Sequence, residues 1–372
     1  MSARPIPALS LKQMHDEIRA QAMRALTDVY DGHWYVLGPQ VRAFEKGYAE
    51  YIGTRFCVTC ASGLDALVLA LRVLGIRAGD KVLVPSNTYV ATWLAPSALG
   101  AIPVPVEPDP GTYNITVDSL QKVDLEGVRA IIPVHLYGQT CVMPEIMAWA
   151  RGHDIVVVED NAQAHGAAVS GKRTGSFGHA NAHSFYPTKN LGCLGEGGAV
   201  TTDDPELADQ LRILRNYGQR EKYVNEVKGI NARFDEIQAA FLNVKLTHLD
   251  GWNAERRRLA ALYMEGLAGL EGITLPAQWL DERQVFHIFP IGCVQRDALQ
   301  THLRAAGIGT LIHYPVPPHL QTAYRDLGYR KGDFPIAESL ADRVLSLPLY
   351  PGLEDEDVAR VCQEIARFMG QA

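Results

Sequence analysis

Apolar side chains recur at Leu11, Met14, Ile18, Ala22, Leu26 and Val29, a helical spacing that predicts an N-terminal helix over 9–31. Gly32 to Pro39 interrupts it. Val41, Phe44 and Tyr48 predict a second helix closed at Gly53, then a strand over 56–59. A leucine-rich segment over 64–74 predicts a buried helix, 82–89 a strand ending in a polar turn, and 90–99 a short helix. Further strands are expected over 103–107, 130–137 and 155–158, with helices near 118–124 and 144–152 between them. A strand over 199–202 and a helix over 205–216 follow. Strands alternating with helices predict an α/β fold whose large domain carries a mixed, mostly parallel sheet sandwiched by helices.

Beyond this the pattern changes. Residues 217–233 form a long polar stretch, read as a structureless and therefore functional loop. A helix from Asp235 past Leu262, bent near Gly251, leaves the large domain. Strands near 285–294 and 309–314, with helices near 296–306, 335–345 and 354–369, predict a smaller C-terminal α+β domain. The expected division is 1–250 and 251–372.

At 372 residues the chain is long enough for two cores, and a net charge of −7 gives no general attraction to nucleic acid or an anionic membrane. No apolar run reaches membrane-spanning length and the first residues lack a signal-peptide core, so the expected compartment is the cytoplasm. The cysteines at 57, 60, 141, 193, 293 and 362 are scattered. Cys57-Val-Thr-Cys60 has redox or zinc spacing but no second pair, so it reads as strand residues and no metal is assigned.

The chemistry gathers between residues 156 and 198. The β-branched run over 155–158 suits a strand buried on both faces, and Glu159 and Asp160 sit at its open end, where α/β proteins place ligands. His183-Ser-Phe-Tyr-Pro-Thr-Lys189-Asn-Leu-Gly breaks at Pro187 and delivers Lys189 into a Gly-rich turn. A carboxylate and a lysine on neighbouring strand ends suit pyridoxal phosphate: the amine forms an imine, and the acid keeps the pyridine nitrogen protonated. Small residues at Ala61-Ser62-Gly63 open a helix, leaving N–H groups free for a phosphate, although an N-cap serine would look the same. Gly192 to Gly198 has GxxGxGG spacing and precedes a strand, which argues against a dinucleotide loop and for a tight turn near the lysine.

The words VEDNAQAHGA, SFYPTKNLG and GEGGAV, with SGLDALVLAL and NYGQREKYVNEVKGINARFDEIQAA, resemble the DegT/DnrJ/EryC1/StrS sugar aminotransferases, a branch of the fold-type-I pyridoxal phosphate enzymes. The resemblance covers nearly the whole chain. It implies a homodimer with shared active sites, passing through the pyridoxamine 5'-phosphate form. It further implies Lys189 and Asp160 as catalytic residues, Ser62, Gly63 and Ser184 at the cofactor phosphate, Tyr89 over the ring and Gln163 beside it. Asn231 would cross the dimer interface to the same phosphate. His165 is a candidate for proton transfer or substrate binding. The loop residues Tyr217, Arg220, Lys222, Tyr223 and Arg233 are the dense basic and aromatic cluster for a diphosphate, and His313 and Tyr314 belong to a segment that lines the sugar site in the family.

The expected reaction transfers nitrogen, with L-glutamate as donor, to C3 of a dTDP-3-keto-6-deoxyhexose. Amination at C4 and UDP-linked substrates stay open, because regiochemistry depends on how the sugar lies in the pocket. A sugar dehydratase, in which the lysine is replaced by histidine, and a non-catalytic cofactor-binding protein are the competing classes.

Overall fold

The computed structural model describes residues 4–277 and 280–371. Seven strands form one sheet in the order Phe56–Cys60, Gly198–Thr202, Ala180–Ser184, Val156–Asp160, Val128–Ile131, Lys81–Pro85, Ile102–Val106. Gly198–Thr202 alone runs against the other six. Adjacent residues of a strand point to opposite faces, and here both faces are covered. Val158 packs with Leu67, Leu71 and Trp93, whereas Val157 packs with Met143, Ile146 and Trp149. By the same alternation Glu159 and Asp160 face opposite sides of the sheet.

The chain after Leu249–Gly266 builds a three-stranded antiparallel sheet from Ile273–Thr274, Phe289–Cys293 and Val344–Leu347. Its core joins Leu259, Tyr263, Phe289, Leu299, Leu345 and Ile365. Ile6, from the other end of the chain, belongs to this core and bridges to Ile308.

Four local expectations are corrected. The loop over 217–233 is not structureless: Gln219–Glu221 and Val224–Asn225 pair as a small hairpin. The long helix is two, Glu236–Leu246 and Leu249–Gly266, and the break falls at Thr247 and His248 while Gly251 lies inside the second. Residues 309–314 form no strand; Leu311 makes a single bridge to Ser346. The strand expected over 130–137 ends at Ile131, and a single helical turn, Leu136–Gly138, follows with Tyr137 at φ 61°.

Candidate active site

At the C-terminal ends of the parallel strands lies a cleft of ≈ 710 Å³ lined by Ser62, Gly63, Tyr89, Asp160, Gln163, Ser184, Lys189, His287, His313 and Tyr314, among others. Its size is that of an ordinary small-molecule site. Nine of these ten residues were expected from the sequence, His287 being the exception.

Asp160 ends its strand and is 6% exposed. Its Oδ1 accepts from the Ala162 N–H at 3.1 Å and its Oδ2 from the Thr92 hydroxyl at 3.0 Å. Burial raises its pKa, and the hydrogen bonds from Ala162 and Thr92 and the charge of Lys189 pull the other way. Lys189 sits in the turn after Pro187. Burial lowers its pKa to about 8, opposed by the nearby Asp160 carboxylate. The turn is tight for a steric reason: a Cβ on Gly192 would lie 2.4 Å from the Pro187 carbonyl oxygen.

At one end of the cleft, Ser62 caps the helix Gly63–Val73, accepting from the Asp65 N–H at 3.1 Å and donating to the Asp65 carboxylate at 2.8 Å. The N-cap reading is the one seen, and it leaves room for the other, since the cap occupies the Asp65 N–H while those of Gly63 and Leu64 have no intrahelical acceptor. A Cβ on Gly63 would come within 2.6 Å of the Ser184 Cβ, so only glycine lets this helix start meet Ser184.

Gln163 is held in one orientation. Its Oε1 accepts from the Tyr137 N–H at 2.6 Å, so its amide group donates to the Tyr314 hydroxyl at 3.1 Å. Tyr137 in turn donates to the His313 carbonyl oxygen. Tyr314 and the 53% exposed Tyr89 stand with ring centroids 5.4 Å apart at the mouth. His313 bonds Ser346 Oγ through Nδ1 at 2.8 Å, and burial followed by the Lys189 charge lowers its pKa to about 4.

Other expected residues lie elsewhere. His165 is not on the cleft wall: it is fully buried beside His183 and Phe185, and burial pushes its pKa down to about 3. Asn231 accepts from Arg233 Nε at 3.0 Å outside the cleft. Arg233 lies over the Tyr217 ring and Lys222 over the Tyr223 ring. Arg220 is engaged by Asp209 at 2.6 Å and Glu226 at 3.2 Å. None of these six lines the cleft of its own chain.

The structure adds residues that the sequence reading missed. Thr92 holds Asp160, and His287, on the approach to the strand Phe289–Cys293, lines the cleft. His287 stands in no distinctive motif, and Thr92 follows the polar turn at Tyr89 without being singled out within it.

Fold and site together define an α/β enzyme that presents an amine and a buried carboxylate in one cleft, beside a helix start. Residues 16–366 match the DegT/DnrJ/EryC1/StrS aminotransferase family, and the chain belongs to that family. It is 50% identical over 363 residues to the dTDP-3-amino-3,4,6-trideoxy-alpha-D-glucose transaminase of Streptomyces venezuelae, covering 98% of this chain and 96% of that one. It is 46% identical over 363 residues to the dTDP-3-amino-3,6-dideoxy-alpha-D-galactopyranose transaminase of Aneurinibacillus thermoaerophilus, covering 98% and 99%. The crystal structure of S. venezuelae DesV in complex with a ketimine intermediate superposes with a TM-score of 0.96 at 48% identity over the full length of both chains.

Proposed function

We propose that this enzyme transfers an amino group from L-glutamate to C3 of a dTDP-linked 3-keto-6-deoxyhexose, using pyridoxal 5'-phosphate. The observation that carries this reading is the placement of Lys189 and Asp160 in one cleft whose far end is the Gly63 helix start facing Ser184. The names of the two relatives, both 3-amino sugar transaminases, support the sugar class and ring position.

The residues present fit the cofactor. The N–H groups of Ser62, Gly63 and Leu64 and the Ser184 hydroxyl would hold its phosphate, and Asp160 would accept from its ring nitrogen. When bound, pyridoxal phosphate supplies an electron-withdrawing ring that carries the amino group between the two substrates. Burial raises the Asp160 pKa by more than the Lys189 charge and its hydrogen bonds lower it, and a ring N–H⁺ directly beside it would lower it further. Lys189, with a pKa near 8, can give up and regain a proton at Nζ close to neutral pH, as a base beside a reacting carbon must. Gln163 keeps one amide N–H free of Tyr314 to donate toward the cofactor's phenolic oxygen.

The site is completed by a second copy of the chain. Asn231, Tyr217, Arg220, Lys222, Tyr223 and Arg233 do not reach the cleft of their own chain, and Tyr223 is 84% exposed. In a homodimer they would bring the missing phosphate and diphosphate contacts. A cytoplasmic setting is part of the same proposal.

Borohydride reduction and peptide mapping should find the cofactor adduct on Lys189. Incubation with glutamate and a panel of 3-keto and 4-keto sugar nucleotides, read by mass and NMR, should show amination at C3; label on another residue, or product only at C4, would overturn the corresponding part.

A further inference from the structure

His287 stands in a chain of hydrogen bonds whose directions can be worked out from its far end. A backbone carbonyl only accepts. Asn253 places its Nδ2 2.8 Å from the His165 carbonyl oxygen, so its Oδ1 faces the other way and accepts from Asn190 Nδ2 at 2.9 Å. Asn190 Nδ2 also lies 3.1 Å from the Val285 carbonyl oxygen, a second obligate acceptor. Both amide hydrogens of Asn190 are thereby assigned, and its Oδ1 is left as the acceptor 3.1 Å from His287 Nδ1. Nδ1 must carry the hydrogen. In a neutral ring that leaves Nε2 bare. This is the tautomer that histidine in water adopts less often, and it is imposed here by two buried asparagines and two carbonyls.

The ring is neutral. Burial lowers its pKa well below the ordinary value, and the positive charges of Lys189 and Arg256 add to this, with further contributions from His313 and His165. His287 is also part of the cleft wall that contains Lys189. Around it, Lys189 is a donor, and Tyr314, which already accepts from Gln163, has its own hydrogen free to give. The cleft near the lysine therefore offers these donors beside two acceptors, the Asp160 carboxylate and the locked imidazole of His287.

We propose that His287 Nε2 accepts a hydrogen bond from an N–H or O–H group of the bound substrate beside Lys189, and so is a substrate-selecting residue of the transamination. The proposal rests on the aminotransferase reading above. Two sources share the required chemistry: the ammonium group that both amino-bearing substrates carry, and a sugar hydroxyl next to the aminated carbon.

The first test needs neither cofactor nor turnover. In ¹⁵N-histidine-labelled apoprotein, the resonances lost in His287→Phe should show Nδ1 protonated and Nε2 bare at neutral pH. An Nε2–H tautomer, or an imidazolium, would overturn the proposal whatever the enzyme's reaction proves to be. The second test uses the loaded enzyme in single half-reactions, with L-glutamate and with dTDP-3-amino-3,6-dideoxygalactose run in reverse. His287→Phe should lower kcat/KM by about tenfold or more in at least one, consistent with a lost hydrogen bond to a charged or buried partner. His287→Gln, whose Oε1 can replace the Nε2 acceptor, should recover most of it. A fall in both half-reactions assigns the partner as the ammonium, and a fall with the sugar alone assigns a hydroxyl. Less than a twofold change in both, or equal losses in the Phe and Gln variants, would overturn it.

Discussion

Lys189 and Lys245 are both held with a pKa of about 8 by burial, yet they are placed in opposite settings. Lys245 is sealed: its Nζ donates to the Gly192 carbonyl oxygen at 2.7 Å and lies over the Phe241 and Trp252 rings at 5.4 and 5.6 Å. Lys189 opens into the cleft with a carboxylate nearby. The neighbouring acids divide the same way. Glu159 faces the sealed side, where His135 Nε2 and the N–H groups of Gly175, Phe177 and Gly178 saturate it at 2.5–2.9 Å. Burial alone would raise its pKa, but these donors together hold it below the usual range. Asp160, one residue on, keeps acceptor capacity toward the cleft. A perturbed pKa thus marks burial, and only access together with an unfilled hydrogen-bonding direction marks chemistry.

Replacing each lysine separates the two regions most strongly. Lys189→Ala should lower transamination by roughly 10⁴-fold or more, since in the proposed reaction this one side chain would both bond the cofactor and move the proton, while circular dichroism and thermal midpoint stay near wild type. Retained turnover would put the chemistry on another residue.

The acids give the next contrast. Asp160→Asn should fold and bind cofactor but slow proton abstraction on the order of 10²–10⁴-fold, because an amide cannot keep a ring nitrogen protonated. Glu159→Gln should do the reverse. It turns an amide N–H toward donors that now lack an acceptor, costing about 3 kcal/mol of stability in denaturant titration, while the folded fraction keeps activity within a few-fold. If Glu159→Gln lost activity without stability, the division between the two faces would fail.

That division was half legible in the sequence. The β-branched run over 155–158 announced a strand buried on both faces, and alternation along it separates Glu159 from Asp160. Lys189, Ser184 and Gln163 stand in words whose flanking Gly and Pro set strand-end turns. His165 was read into the site because it lies two residues beyond Gln163, but the turn after Ala162 sends it into the core. His287 and Thr92 sit in ordinary apolar segments, and only tertiary packing brings them to the cleft. The helix expected over 335–345 stops at Arg343, and its last two residues open the strand Val344–Leu347, since no Gly or Pro marks the junction. The hairpin within 217–233 has strands of three and two residues, too short for a period to register.

The smallest effect concerns Lys245, and it checks that burial, with a smaller push from the Arg256 charge, holds its pKa low. A lysine whose folded pKa is about 8, against 10.5 when unfolded, binds fewer protons in the fold than in the unfolded chain between those values. Stability therefore rises with pH across that window and is lower by the full contribution below it. Lys189 adds the same sign in the cofactor-free enzyme, as do other shifted groups, so the informative quantity is the difference between variants. In Lys245→Met, which keeps the apolar stem over Phe241 and Trp252, the slope of unfolding free energy between pH 8 and 10.5 should fall by up to about 1.4 kcal/mol per pH unit, one proton's worth. Activity should stay within a few-fold. An unchanged slope would mean that Lys245 is charged in the fold across this range, held by Gly192 and the two rings, and the likeness between the two lysines would then be lost.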